Sequence, residues 1–200
     1  MIGHLRGQLV AKSPPTLLVD VNGVGYEVEA PMSTIFDLPP VGEQVTLVTH
    51  FYVREDAQIL FGFLTASERT LFRLLLKVNG VGAKMALAVL SSMNPAEFRG
   101  CILGGDQAAL TRIPGIGKKT AERLIVEMRD RLEKDSGLGE ASAVAQGGGS
   151  ARAQDPVAEA TEALMALGYR PQEASRLVRA VSGQGLSSEE IIRQSLKGAL

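Results

Sequence analysis

Tryptophan is absent from this chain, and Phe and Tyr alone supply an aromatic content of 4%. With 45% of the residues hydrophobic, its cores must be built mainly from aliphatic side chains. The single cysteine, Cys101, excludes an intrachain disulfide and a cysteine-built zinc or iron–sulfur cluster. Its neighbours predict an inert thiol. No apolar run approaches the roughly 18 residues that a membrane span needs. The opening MIGHLRGQLV lacks the basic-then-apolar build of a signal peptide. The expectation is a cytoplasmic protein without membrane contact. The two histidines, His4 and His50, have no evident catalytic company, and nothing calls for a cofactor or a metal.

Net charge is also nearly lacking, at −1 for 200 residues. The balance is uneven along the chain. Residues 1–64 carry a net −4, residues 65–135 a net +4 and residues 136–200 a net −1. A basic middle lies between acidic flanks, and it is the local field that steers a polyanion.

The first third reads as strands. TLLVDV at 16–21 and YEVEA at 26–30 partly alternate apolar with polar residues, as half-buried strands do. Residues 44–53 and 59–63 continue the pattern. Turn signals fall at 13–15, 22–25, 39–42 and 54–58. Five short strands in about 64 residues predict a small barrel, OB-like by first choice, with an SH3-like barrel fitting almost as well. From Thr65 the period becomes helical. Leu71, Leu74, Leu75 and Val78 share a face over 67–77, and further helices are predicted over about 83–92, 95–103, 106–111 and 118–134. Asn94-Pro95 marks a helix start. The leucine-dense segment 71–76 is the expected subunit contact.

Composition then collapses. Thirteen of the eighteen residues at 136–153 are Gly, Ala or Ser, which predicts a flexible tether. As a coil it would span roughly 20–25 Å. Beyond it three short helices are expected. Asp155-Pro156 starts the first, Val157, Ala160, Leu164 and Leu167 form its apolar face, and Gly168 ends it. Pro171 starts the second, with Leu177, Val178 and Val181 inward. Ser187 to Glu190 fits a capping box for the third.

The pentapeptide VNGVG occurs twice, at 21–25 and 78–82. The first copy lies between strands, where Asn-Gly is a strong hairpin signal. The second lies between helices, and 35 residues later IPGIGKK repeats its pattern. Val78 aligns with Ile113, Gly80 with Gly115, Gly82 with Gly117 and Lys84 with Lys119. Both copies read apolar-x-Gly-apolar-Gly-x-Lys before an amphipathic helix. Paired glycines let a backbone approach a ligand closely. The amides beyond them open a helix and favour an anion. Lys84, Lys118 and Lys119 add mobile positive charge, and Arg112 and Arg123 extend it. Such loops suit a phosphodiester and read no base. GIGKKT is not a nucleotide-binding phosphate loop: Lys119 stands where Ser or Thr is needed, and Arg112 replaces the first glycine.

These loops look like helix-hairpin-helix motifs. With MIGHLRG at the start, YVREDAQILFGF at 52–63, VNGVGAKMALAVLS and IPGIGKKTAERLIVEMRD, the chain resembles the bacterial RuvA family over essentially its whole length. That family comprises the junction-recognising subunits of RuvAB branch-migration complexes. The resemblance implies an α+β multidomain chain. It would have an OB-like β-barrel at 1–64, tandem helix-hairpin-helix motifs at 65–135, a linker at 136–153 and a three-helix, ubiquitin-associated-like unit at 154–200. It further implies a non-catalytic homotetramer that holds a four-way (Holliday) junction open and nearly planar. A second tetramer can cover the other face. Each arm would be gripped by the paired hairpins at Gly80, Gly82, Lys84, Arg112, Gly115, Gly117, Lys118, Lys119 and Arg123. Glu55 and Asp56, with Arg54, would form an acidic pin at the fourfold centre. From sequence alone these three are a polar turn; as a metal site the adjacent carboxylates point apart and lack a third ligand. The tail would contact the RuvB hexameric ATPase, with Leu164, Leu167 and Tyr169 as candidate contacts, and the RuvC nuclease can share the junction.

Two rival readings use the same features. Paired hairpin motifs also occur in structure-specific nucleases and DNA glycosylases. ALMALGY at 163–169 resembles ubiquitin-associated bundles, so the chain could serve chiefly to dock protein partners.

Overall fold

The computed structural model describes residues 1–134, 156–181 and 186–198. The chain divides into two compact units, parted within the undescribed stretch. The tether expected at 136–153 and the N-cap expected at Asp155 lie outside the described residues.

In the first unit, β1 (His4–Ser13), β2 (Thr16–Val21), β3 (Val24–Glu29), β4 (Gln44–Val53) and β5 (Gln58–Phe63) close into a barrel. Around the barrel the order is β1-β2-β3-β5-β4, with β4 pairing back onto β1. β3 and β5 are parallel and the other neighbours antiparallel. A short helix, α1 (Met32–Asp37), connects β3 to β4. That is the OB arrangement, which decides against the SH3-like alternative. Sequence periodicity gave no sign of α1, because six residues make under two turns. Leu5, Leu9, Leu17, Val19, Val28, Val45 and Leu47 fill the barrel, joined by Ile35 of α1. The first VNGVG is the β2–β3 turn. Asn22 and Gly23 both take positive φ, 53° and 88°, and Val21 faces Val24.

Five helices follow: α2 (Ala66–Leu75), α3 (Ala83–Ser92), α4 (Pro95–Gly104), α5 (Gln107–Thr111) and α6 (Lys118–Lys134). α2 and α4 start on reciprocal capping boxes, Thr65 with Glu68 and Asn94 with Glu97. The helices do not form a core of their own. Leu60 of β5 faces the barrel interior, while Phe61 and Phe63 point the other way into the helical core. Their rings lie 4.8 and 5.1 Å from that of Phe72 on α2. A second seam joins α1 to α3. The Ser33 hydroxyl donates to the Leu90 carbonyl, and Ser91 Oγ accepts from the Met32 amide, each at 2.9 Å.

This shared core corrects one expectation. Leu71, Leu74 and Leu75 are spent inside the protomer, none more than 7% exposed, and so do not offer a subunit contact.

The second unit holds α7 (Pro156–Ala166), α8 (Pro171–Val181) and α9 (Ser188–Lys197) around Ala160, Leu164, Ala174, Val178 and Ile191. Gly168, at φ 101°, follows α7 in the left-handed region. Ser187 and Glu190 make the expected capping box before α9.

Candidate nucleic-acid interface

The two hairpins repeat bond for bond at the offset of 35 residues. The Lys77 amide donates to Leu74 and that of Arg112 to Ala109. Val78 donates to Leu75 as Ile113 does to Leu110, and Val81 to Val78 as Ile116 does to Ile113. Ala86 donates to Gly82, and Ala121 to Gly117, opening α3 and α6. Val78, Val81, Ile113 and Ile116 are at most 6% exposed. These four apolar side chains pin each bend to the core from below. Gly80 and Gly115 carry the reversal at φ 79° and 85°, a region that a side chain penalises. What remains outward at each bend is backbone: Gly80, Gly82, Gly115 and Gly117 are all exposed. Gly82 caps α3 with no side-chain acceptor, so the first amides of that helix face outward unclaimed by a cap.

The cations surround these amides. Lys84, Arg112, Lys118 and Lys119 are exposed. Among the described residues their side chains enter no hydrogen bond or ion pair. Lys77 occupies the place in the first motif that Arg112 occupies in the second, and it too is exposed. Sequence reasoning passed over it, although the offset that aligned Lys84 with Lys119 aligns this pair as well. Arg123 differs from the others. Its Nη1 donates to the Asn79 carbonyl at 2.9 Å, so α6 of the second motif reaches into the bend of the first.

The β4–β5 connection is a tight loop closed by the Arg54 amide donating to the Ala57 carbonyl at 2.8 Å. Glu55 and Asp56 stand exposed at its tip. Arg54 Nε lies 3.9 Å from Asp56 Oδ1, with both side chains largely in solvent, so the pairing is weak. Glu55 is left as the unpaired acid.

Between β4 and α2, Arg73 Nε donates to His50 Nδ1 at 3.2 Å, which requires that nitrogen to be unprotonated. Burial, then Arg73 and Arg69, hold the imidazole below its ordinary pKa. The Cys101 thiol is half-buried and pushed above its usual range by burial, then by Asp106 and Glu97. It stays protonated, in keeping with an inert thiol. Among the described residues no three His, Cys, Asp or Glu side chains are grouped to hold a metal ion. No described helix is long and apolar enough to cross a membrane.

In the second unit the three predicted contact residues separate. Leu164 is fully buried in the bundle core and leaves the set of surface candidates. Tyr169 packs partly against that core. Leu167, expected on the buried face of α7, is 62% exposed, and Met165 beside it is 44% exposed. Leu167 follows Ala166, the last residue of α7, and its amide still donates to the Ala163 carbonyl at 3.1 Å.

Family models match along most of the chain. The RuvA N terminal domain covers residues 1–62, the SAM-like helix-hairpin-helix tandem 72–130, and the RuvA C-terminal domain 155–200. A protein of Thioalkalivibrio sulfidiphilus is 60% identical over 204 residues, spanning 100% of both chains. Relatives in Methylococcus capsulatus and Pseudomonas aeruginosa are 53% and 54% identical, over 100% and 99% of both chains. All three are called Holliday junction branch migration complex subunit RuvA. The chain belongs to the RuvA family. Within the RuvA family match, the tandem model embraces both hairpins described above, and the N-terminal model embraces the loop bearing Glu55 and Asp56. The names of the relatives give no support to the nuclease or glycosylase alternative.

Proposed function

We propose that this RuvA-family chain is a non-catalytic scaffold that recognises four-way DNA junctions by shape and serves a branch-migration motor. The observation that carries the reading is the bond-for-bond repetition of two exposed amide hairpins, each flanked by unpaired cations. Backbone amides and lysines grip phosphates without reading bases. Lys77, Lys84, Arg112, Lys118 and Lys119 supply the neutralising charge. One protomer makes few such contacts, each salt-sensitive. A homotetramer makes the engagement of further arms intramolecular, with a gain of about 10² or more. Only a branched duplex satisfies all four protomers at once. Glu55 and Asp56, brought together near the symmetry axis, would repel strands crossing the centre and so disfavour plain duplex. The C-terminal unit would dock the RuvB ATPase through Leu167, Met165 and Tyr169, and RuvC would share the junction. Such an assembly works in the cytoplasm.

The test is incubation of a labelled synthetic four-way junction with the pure protein and Mg²⁺, alongside linear duplex of equal length. Retarded, intact junction at protein concentrations that leave duplex free is the expected result. Strand cleavage or base release would establish the enzyme reading instead.

A further inference from the structure

The repeat is not symmetrical in its side chains. The position in α3 that corresponds to Arg123 is Ala88, and Arg131 corresponds to Ala96 of α4. Two of the three arginines of α6 are turned to one task. Arg123 Nη1 donates to the Asn79 carbonyl at 2.9 Å, and Arg131 Nη2 donates to the Lys77 carbonyl at 3.2 Å. Residues 123, 127 and 131 recur at a spacing of four and so share one helical face. Glu127, between the two, holds Arg131 by an ion pair at 3.3 Å, with both side chains about two-thirds buried. The carbonyls they engage lie in the stretch that leaves α2 and enters the first bend. Carbonyls at a helix end attract cations. Gly80 itself leaves room for the guanidinium: a Cβ built there would stand 3.0 Å from Arg123 Nη1.

We propose that Arg123 and Arg131 are positioning residues, a clasp by which α6 fixes the first hairpin relative to the second. Two hairpins that moved independently would each bind phosphate weakly. Held at a set separation, they meet one arm as a pre-organised pair and lose less freedom on binding. The second hairpin needs no such clasp, because it leads directly into α6. The proposal rests on the reading that both hairpins grip DNA, and it assigns Arg123 to the protein's own backbone rather than to phosphate. Arg131 lies about 12 Å further along α6 than Arg123, given the rise of 1.5 Å per residue.

The test uses the full chain with Arg123→Ala and, separately, Arg131→Ala. Hydrogen exchange is measured without DNA, and junction binding is measured across a salt series. Loss of one such bond should speed exchange of the hydrogen-bonded amides of the first bend, Val81 and Ala86, by about threefold to tenfold. The matching amides of the second bend, Ile116 and Ala121, should keep their rates. Junction affinity should fall in both variants. For Arg131→Ala the log–log salt slope should match the parent, since no phosphate contact is lost. Unchanged exchange at Val81 and Ala86 in either variant overturns the clasp, whatever happens to binding. A slope reduced by about 0.9 in Arg131→Ala makes that residue a phosphate contact and overturns its assignment. Failure of the parent protein to bind the junction would sink the DNA reading alone, because the exchange result is obtained without DNA.

Discussion

Among the described residues Lys84, Lys118 and Lys119 stand in solvent without a side-chain partner, and that freedom is what fits them for a mobile polyanion. Replacing all three by Ala should weaken junction binding and lower the log–log salt slope by about 0.9 per phosphate released. Sedimentation would check that the proposed tetramer survives; dissociation would make the lysines structural. His50 makes a different prediction. Its folded pKa lies below the ordinary 6.5, so between the two values the unfolded chain binds the extra proton. Stability should therefore fall as pH drops through 6.5 and level off once the folded pKa is passed. His50→Gln keeps an acceptor for Arg73 and removes the titration. Melting curves from about pH 7.5 to about pH 5 should show a smaller loss in the variant than in the parent.

Among the elements, the hairpins were the most legible. Their glycines, apolar anchors and lysines lie within a few residues of one another, so the sequence repeat displays them directly. α1 was hidden because it is too short to show a period. The bond that Arg123 makes was hidden for a different reason. Arg123 is 44 residues from Asn79, and only folding brings the pair together. Leu167, placed on the buried face by the helical wheel, is exposed in a bundle too small to cover the end of α7. Gly80 and Gly115 offer a test of the hairpins as elements. Ala at either position meets a left-handed φ and should cost about 1–2 kcal/mol of stability. Gly80→Ala should be the worse, because its Cβ also presses on Arg123, whereas Gly115 has open space around it. Paired melting curves and junction titrations would check the order. In the β4–β5 loop, Asp56 is partly answered by Arg54 and Glu55 is not. Glu55→Gln should therefore raise affinity for linear duplex more than Asp56→Asn. Equal junction preference in both variants and the parent would remove the pin.

At the scale of the whole molecule, the two units have separate cores, and the hairpins and acidic loop proposed to meet DNA all belong to the first. A chain ended at Ser136 should bind the junction with the affinity of the full chain and fail to stimulate the motor. A truncated protein that still drove branch migration would refute the docking role. Within the first unit the barrel and the helices were legible as separate segments, since the period changes at Thr65. Their fusion was not. It depends on Phe61 and Phe63 facing away from the barrel, and a strand buried on both sides shows no alternation to read.

That fusion has a mechanical consequence. β5 begins beside the acidic loop and ends among the rings that seat α2, so loop and hairpins belong to one compact unit. A duplex arriving at the wrong angle must itself bend or untwist to fit. The cost of deformation then falls on the nucleic acid, and flexible steps at the branch point should be favoured over stiff ones of equal length.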